Sequence, residues 1–252
     1  MATPAASVVP AVDSARQLGL VTAVAMVVAN MIGTGVFTTS GFLLADLKSP
    51  ERVLAVWVLG GVIALLGALS YGALSRRIPE SGGEYLFLSR TLHPSLGYVA
   101  GWISLLVGFS APLAAAAYAF GQYAAPWTGP VSPQMSGSLL LVLFCLLHAF
   151  SIARGAWVQN LTVIVKVLLI AGFIVFGALR LPELPAVEPT TVPAGTIAVS
   201  LVWVMFSYSG WNAAIYIGGE VRDPERNLPR ALWIGTLLVM ALYVALNAVF
   251  VY

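Results

Sequence analysis

Long uncharged, apolar stretches alternate along this chain with short clusters of charge and turn-forming residues. No formally charged residue lies in 18–45, 53–75, 91–153, 189–219 or 231–252. Each run is long enough to cross a hydrocarbon core of ~30 Å, which takes about 20 helical residues. The 91–153 run is too long for one crossing and carries Pro126, Gly129, Pro130 and Pro133, so it predicts two. Residues 158–179 predict one more, with Lys166 inside it. The pattern therefore predicts seven membrane-spanning helices, near 18–45, 53–75, 97–120, 138–153, 158–179, 196–218 and 231–252. Pro112 is expected to kink the third.

Two of these apolar runs are interrupted where they should be most apolar. The first carries Asn30-Met31-Ile32-Gly33-Thr34-Gly35 midway, and the sixth carries Met205-Phe206-Ser207-Tyr208-Ser209-Gly210-Trp211-Asn212. A membrane helix that breaks at depth frees backbone N–H and C=O groups, which is tolerated where they line a cavity and hold a polar solute. Gly33-Thr34-Gly35 lets the backbone leave helical geometry, and a half-helix restarting near Val36 points its N–H groups and positive dipole end into the gap. That end favours a carboxylate, with the Thr34 hydroxyl beside it. The break from Phe206 to Gly210 frees carbonyls at the end of its own first half-helix, and that negative end favours an ammonium group. Together the two gaps suit a zwitterion. The competing reading is that these glycines only permit close helix contact.

Composition agrees with the pattern: 60% of residues are hydrophobic and 9% charged, against about 25% charged in soluble domains. With a cytoplasmic N-terminus, the inside holds Arg16, Arg76, Arg77, Arg90, Arg154, Arg222, Arg226 and Arg230, and the outside Lys48, Arg52 and Arg180. That bias predicts a cell-membrane protein with its N-terminus inside. Residues 1–17 are expected to form a short cytoplasmic tail rather than a secretory signal. Cys145 is alone, and His93 and His148 lack partner ligands at metal-site spacing, so no metal or other cofactor is expected. The basic residues flank membrane spans without interleaved aromatics, which gives nucleic-acid binding no support. Ala114–Ala117 suits close helix packing.

No acidic residue lies inside a predicted span, so an uncharged substrate side chain is favoured. Phe206, Trp211 and Trp203 can supply its walls. Lys166 is the one charge within a span, and an ammonium there costs on the order of 2.5–3.5 kcal/mol. Its amine can bond to the first broken helix where other transporters bind a coupling cation, or it can snorkel to the nearby interface. The residues leave both open.

Three blocks resemble the amino acid–polyamine–organocation (APC) superfamily of transporters: Asn30 through Phe37; Ile78-Pro79-Glu80-Ser81-Gly82-Gly83-Glu84-Tyr85; and Phe206 through Asn212 followed by Gly219 through Arg230. The Phe-Ser-Tyr-Ser-Gly-Trp-Asn form looks most like the L-type amino-acid transporter branch and its bacterial relatives. The resemblance implies an all-α membrane protein with an inverted five-helix-repeat fold and discontinuous helices one and six. Residues 18–180 would be the first repeat, 181–195 an extracellular loop and 196–252 the start of an incomplete second repeat. It implies that the backbones of Gly33, Thr34 and Gly35 take a substrate carboxylate. The carbonyls of Met31, Phe206 and Ser209 would take the α-amine, with Ser207 and Gly210 in the same break. Phe206 falls where the family has an aromatic gate, Asn212 where this branch has a polar residue near the site, and Lys166 where many members carry a lysine in place of sodium. Glu80, Glu84, Glu220, Arg222, Asp223 and Arg226 are candidates for ion pairs at an inside gate, though charged loops are usually solvated.

The expected function is secondary transport of amino acids, of neutral side chain, by alternating access, proton-coupled or by exchange. Family members have ten or more spans, so the expectation is a fragment or truncated frame, or a chain completed by a partner or accessory subunit; alone it is not expected to transport. A seven-span receptor or light-sensing protein rests on span count only, and the charge bias, which puts the two termini on opposite sides, opposes it. No His/Glu/Asp/Ser grouping of catalytic spacing lies inside the spans, so no enzyme activity is expected.

Overall fold

A computed structural model describes residues 17–150, 152–180 and 191–252. The expected tail before Gln17 and most of the 181–195 loop lie outside the described residues. The helices are α1 (Leu20–Met31), α2 (Gly35–Leu47), α3 (Pro50–Arg77), α4 (Gly83–Thr91), α5 (Pro94–Ile103), α6 (Ala111–Thr128), α7 (Pro133–Phe150), α8 (Ile152–Ala178), α9 (Ala194–Ser207) and α10 (Pro224–Val251). A π-helical stretch at Ser104–Ser110 joins α5 to α6, and a 3₁₀ helix at Ala213–Glu220 follows α9. Four of the described helical segments are long and apolar enough to cross a membrane, counting Pro94–Thr128 as one. The pair α1 and α2 makes a fifth, bent by 43°, and α7 and α9 are shorter apolar helices.

Local chemistry explains several boundaries. Ser49 caps α3, its Oγ accepting the Arg52 N–H at 3.4 Å, while Pro50 occupies the first turn where its missing N–H costs nothing. Glu51 begins the same helix and Arg76 and Arg77 end it, each charge matched to its end of the helix dipole. The third span is longer than its pattern predicts, because the helix carries past Pro126 and turns at Gly129, which has φ +60. At Pro112 the expected kink takes the form of the preceding π turn, a widening that accommodates a residue unable to donate its N–H. Gly137 lies against the Ala117 carbonyl, so α6 and α7 meet backbone to backbone at the alanine run.

The pair α1 and α2, with α3, α9, the 3₁₀ segment and α10, forms the packed body. α3 lies along α10, α1 rests on α10, α2 on α9, α3 on α9, and the 3₁₀ segment on both α1 and α10. α8 packs against α1 and α10. A short parallel bridge joins the residues before α1 to the turn before α10: the Leu18 N–H donates to the Glu220 carbonyl at 2.9 Å and the Arg222 N–H to the Leu18 carbonyl at 2.8 Å. At its centre Trp57, Tyr208 and Tyr243 are fully buried and meet edge-on or tilted, with centroids 5.1–5.7 Å apart. The Tyr208 hydroxyl donates to the Trp57 carbonyl at 3.1 Å, which satisfies a polar group in the core.

Candidate functional site

The first break is three residues long. Ile32 leaves the helix at ψ 89, and the Gly33 N–H turns back to the Met31 carbonyl at 2.9 Å. α2 then restarts from Thr34 with no side chain capping it. The Phe37 N–H turns to the Thr34 carbonyl at 3.1 Å, which leaves the Gly35 and Val36 N–H groups with no acceptor among the described bonds, and the exposed Gly33 and Thr34 sit at that positive end.

The second break is longer. After Ser207 the chain makes a tight turn closed by Tyr208 N–H to Val204 O (2.9 Å) and Ser209 N–H to Phe206 O (3.1 Å). Gly210 follows at φ +95, a conformation that side chains rarely adopt. The 3₁₀ helix then starts with the Ala213 N–H on the Gly210 carbonyl at 3.0 Å.

The two breaks touch. A methyl group on Gly35 would stand 2.8 Å from Ser207 Oγ, and one on Gly210 would stand 2.7 Å from the Asn30 carbonyl oxygen. Thr39 and Ser207 share a hydroxyl contact of 3.2 Å. Close approach thus explains Gly35 and Gly210, and Ser207 is buried between the spans. Gly33 is different: a methyl group there would meet nothing within 4 Å.

Two donors from other spans reach the broken end of α1. Lys166 Nζ donates to the Ile32 carbonyl at 2.9 Å, so its side chain turns to the break and not to the interface. The Tyr243 hydroxyl, on α10, donates to the Met31 carbonyl at 2.6 Å and also lies 3.3 Å from the Ser207 carbonyl. One hydroxyl therefore joins both interruptions. Nothing in the sequence separates Tyr243 from any other tyrosine of an apolar span, whereas Lys166 stood out by charge. The Met31 carbonyl, expected to receive an amine, already accepts from Gly33 and Tyr243, which fills its two lone pairs. The Phe206 carbonyl likewise accepts two backbone N–H groups, those of Tyr208 and Ser209, whereas the Ser209 carbonyl accepts none of the described bonds.

Phe206 is 67% exposed, and Ser209 is exposed beside it. Trp203 is exposed, while Trp211 is half-buried with its ring 4.9 Å from that of Tyr71. Asn212 points its amide at Glu84 Oε1, 2.7 Å away. Glu84 also receives Tyr71 Oη at 3.2 Å, Ser104 Oγ at 3.2 Å and Tyr216 Oη at 3.2 Å. The carboxylate is thus held by four donors from spans two, three and six, unlike the solvated loop charge that its position suggests; the GGEY turn that brings it there is legible only after the fold is known. Glu80 pairs with Arg90 at 2.5 Å on the surface. Among the described residues no group of three His, Cys, Asp or Glu side chains could hold a metal ion.

Residues 18–252 match the amino acid permease family. The chain is 30% identical over 237 residues to the serine/threonine exchanger SteT of Bacillus subtilis (strain 168), covering 92% of this chain and 54% of SteT. It is 31% identical over 244 residues to the b(0,+)-type amino acid transporter 1 of Mus musculus, covering 92% and 50%. It is 32% identical over 251 residues to the large neutral amino acids transporter small subunit 2 of Rattus norvegicus, covering 94% and 47%. The chain spans about half the length of these relatives.

Proposed function

This chain belongs to the amino acid permease family, and on that premise we propose that it carries the substrate site of a secondary amino-acid transporter. The family and the relatives are transporters and not enzymes. The observation that carries the reading is the pair of contacting breaks, with the uncapped N–H end of α2 open beside Gly33 and Thr34.

In this reading a substrate carboxylate accepts from the first N–H groups of α2. Hydrogen bonds to charged groups contribute about 1.5–3 kcal/mol each, so two suffice to fix orientation. The α-amine meets carbonyls of the sixth-span break, that of Ser209 first, while Tyr243 and Lys166 hold those of Met31 and Ile32. Phe206 covers the substrate as a gate, and Ser209 and Asn212 border it. Lys166 stands in for a coupling cation. Glu84, the carboxylate nearest Asn212, is already engaged by four donors, which supports a substrate of uncharged side chain.

The packing supports an inverted repeat. Exchanging span one with six and two with seven turns the α1–α10 contact into α9–α3, and the α2–α3 contact into that of the 3₁₀ segment with α10; all four occur. Alternating access then follows as spans one and six rock together against the rest. Radiolabelled neutral amino acids should enter proteoliposomes containing the full-length gene product, with Phe206→Ala slowing uptake. Absence of uptake for every neutral amino acid would overturn the proposal.

A further inference from the structure

We propose that the groove between the ends of α3 and α10 binds an anionic phospholipid. The two helices touch where Gly72 faces Pro229; a methyl group on Gly72 would lie 3.2 Å from the Pro229 Cα. Outside that contact opens a cavity of about 690 Å³, walled by Leu69, Ala73 and Trp233 and ending at Arg76, Arg77 and Arg230. A second cavity of about 320 Å³ adjoins it through Arg76 and Arg230 and adds Arg226 and Glu225.

Both helices present the same order of chemistry to the groove. Leu69, Ala73 and Arg76 follow one face of α3 at helical spacing, and Trp233, Arg230 and Arg226 follow one face of α10. Each stripe is apolar toward the middle of the helix and cationic at its end. Four guanidinium groups therefore face the single carboxylate of Glu225, and none of the four has an ion-pair partner among the described residues. They are exposed, as is part of Trp233.

A guanidinium fork matches phosphate oxygens in pairs, and basic pockets between membrane helices select anionic headgroups. A soluble phosphate would use only the cationic end. The apolar wall and the tryptophan fit a ligand that is charged at one end and greasy at the other. This site is independent of which solute is carried.

The test is native mass spectrometry and thermal melting of the purified full-length protein with phosphatidylglycerol or phosphatidylcholine. Phosphatidylglycerol should be retained about tenfold more strongly and raise the melting temperature further. The double variant Arg76→Gln/Arg230→Gln should lose that preference and melt as the wild type does in phosphatidylcholine. Should this variant fold poorly, competition between the two lipids on the wild-type protein decides. Equal retention of both lipids, or a preference that survives in the variant, overturns the proposal. Glycerol 3-phosphate raising the melting temperature as much as phosphatidylglycerol would also overturn it, in favour of a soluble phosphate.

Discussion

The two interruptions look alike in the sequence and differ in construction. In span one the helix bends by 43° over three residues and resumes as α-helix. In span six a five-residue turn separates an α-helix from a 3₁₀ segment. Glycine serves a different purpose at each place. Gly210 supplies a backbone angle and a close approach, Gly35 a close approach, and Gly33 open space. The first break thus keeps an unobstructed face for a ligand, while the second fixes how the two spans cross.

That division can be broken experimentally in order of expected damage. Gly210→Ala should cost at least about 2 kcal/mol, from backbone strain and the contact with Asn30, read as a lower melting temperature of the full-length protein. An unchanged melting temperature would contradict the described turn. Gly35→Ala should cost about 1–3 kcal/mol by overpacking against Ser207. Adding Ser207→Gly should restore part of it, and a double-mutant cycle without coupling would separate the two breaks.

Tyr243→Phe should cost about 1–3 kcal/mol, because the carbonyls of Met31 and Ser207 lose a buried donor. Lys166→Ala leaves the Ile32 carbonyl without its ammonium and should weaken or uncouple transport; an unaltered rate and pH response would confine Lys166 to structure. Gly33→Ala should leave stability within about 0.5 kcal/mol, since nothing lies within reach of the methyl group. It should nevertheless raise the KM for uptake, and an unchanged KM removes Gly33 from the site.

The apolar runs made the long apolar helices and both breaks legible, because charge-free length and interrupted hydrophobicity are properties of the chain itself; of the seven spans that the pattern predicts, four described helices and the bent pair α1–α2 are long and apolar enough to cross, while α7 and α9 are shorter. Their ends were less so: Pro126 reads as a loop, yet α6 carries through it to Thr128 at the loss of one i→i−4 bond. The roles of Tyr243 and Glu84 depend on partners 212 and 36 residues away for Tyr243, and on the Asn212 amide 128 residues away for Glu84. No local spacing encodes such meetings. Lys166 fell between these cases, marked by its cost in the membrane but not by its partner.

The central claim is that one small molecule is held at both charged ends by backbone groups of the two breaks. Binding to the full-length protein should be measured for the neutral amino acid it takes up best, for that amino acid's methyl ester and for its N-acetyl form. Each modification removes a charge-assisted hydrogen bond set, so both should weaken binding at least about tenfold. An ester or acetylated ligand that binds as tightly as the parent would contradict the account.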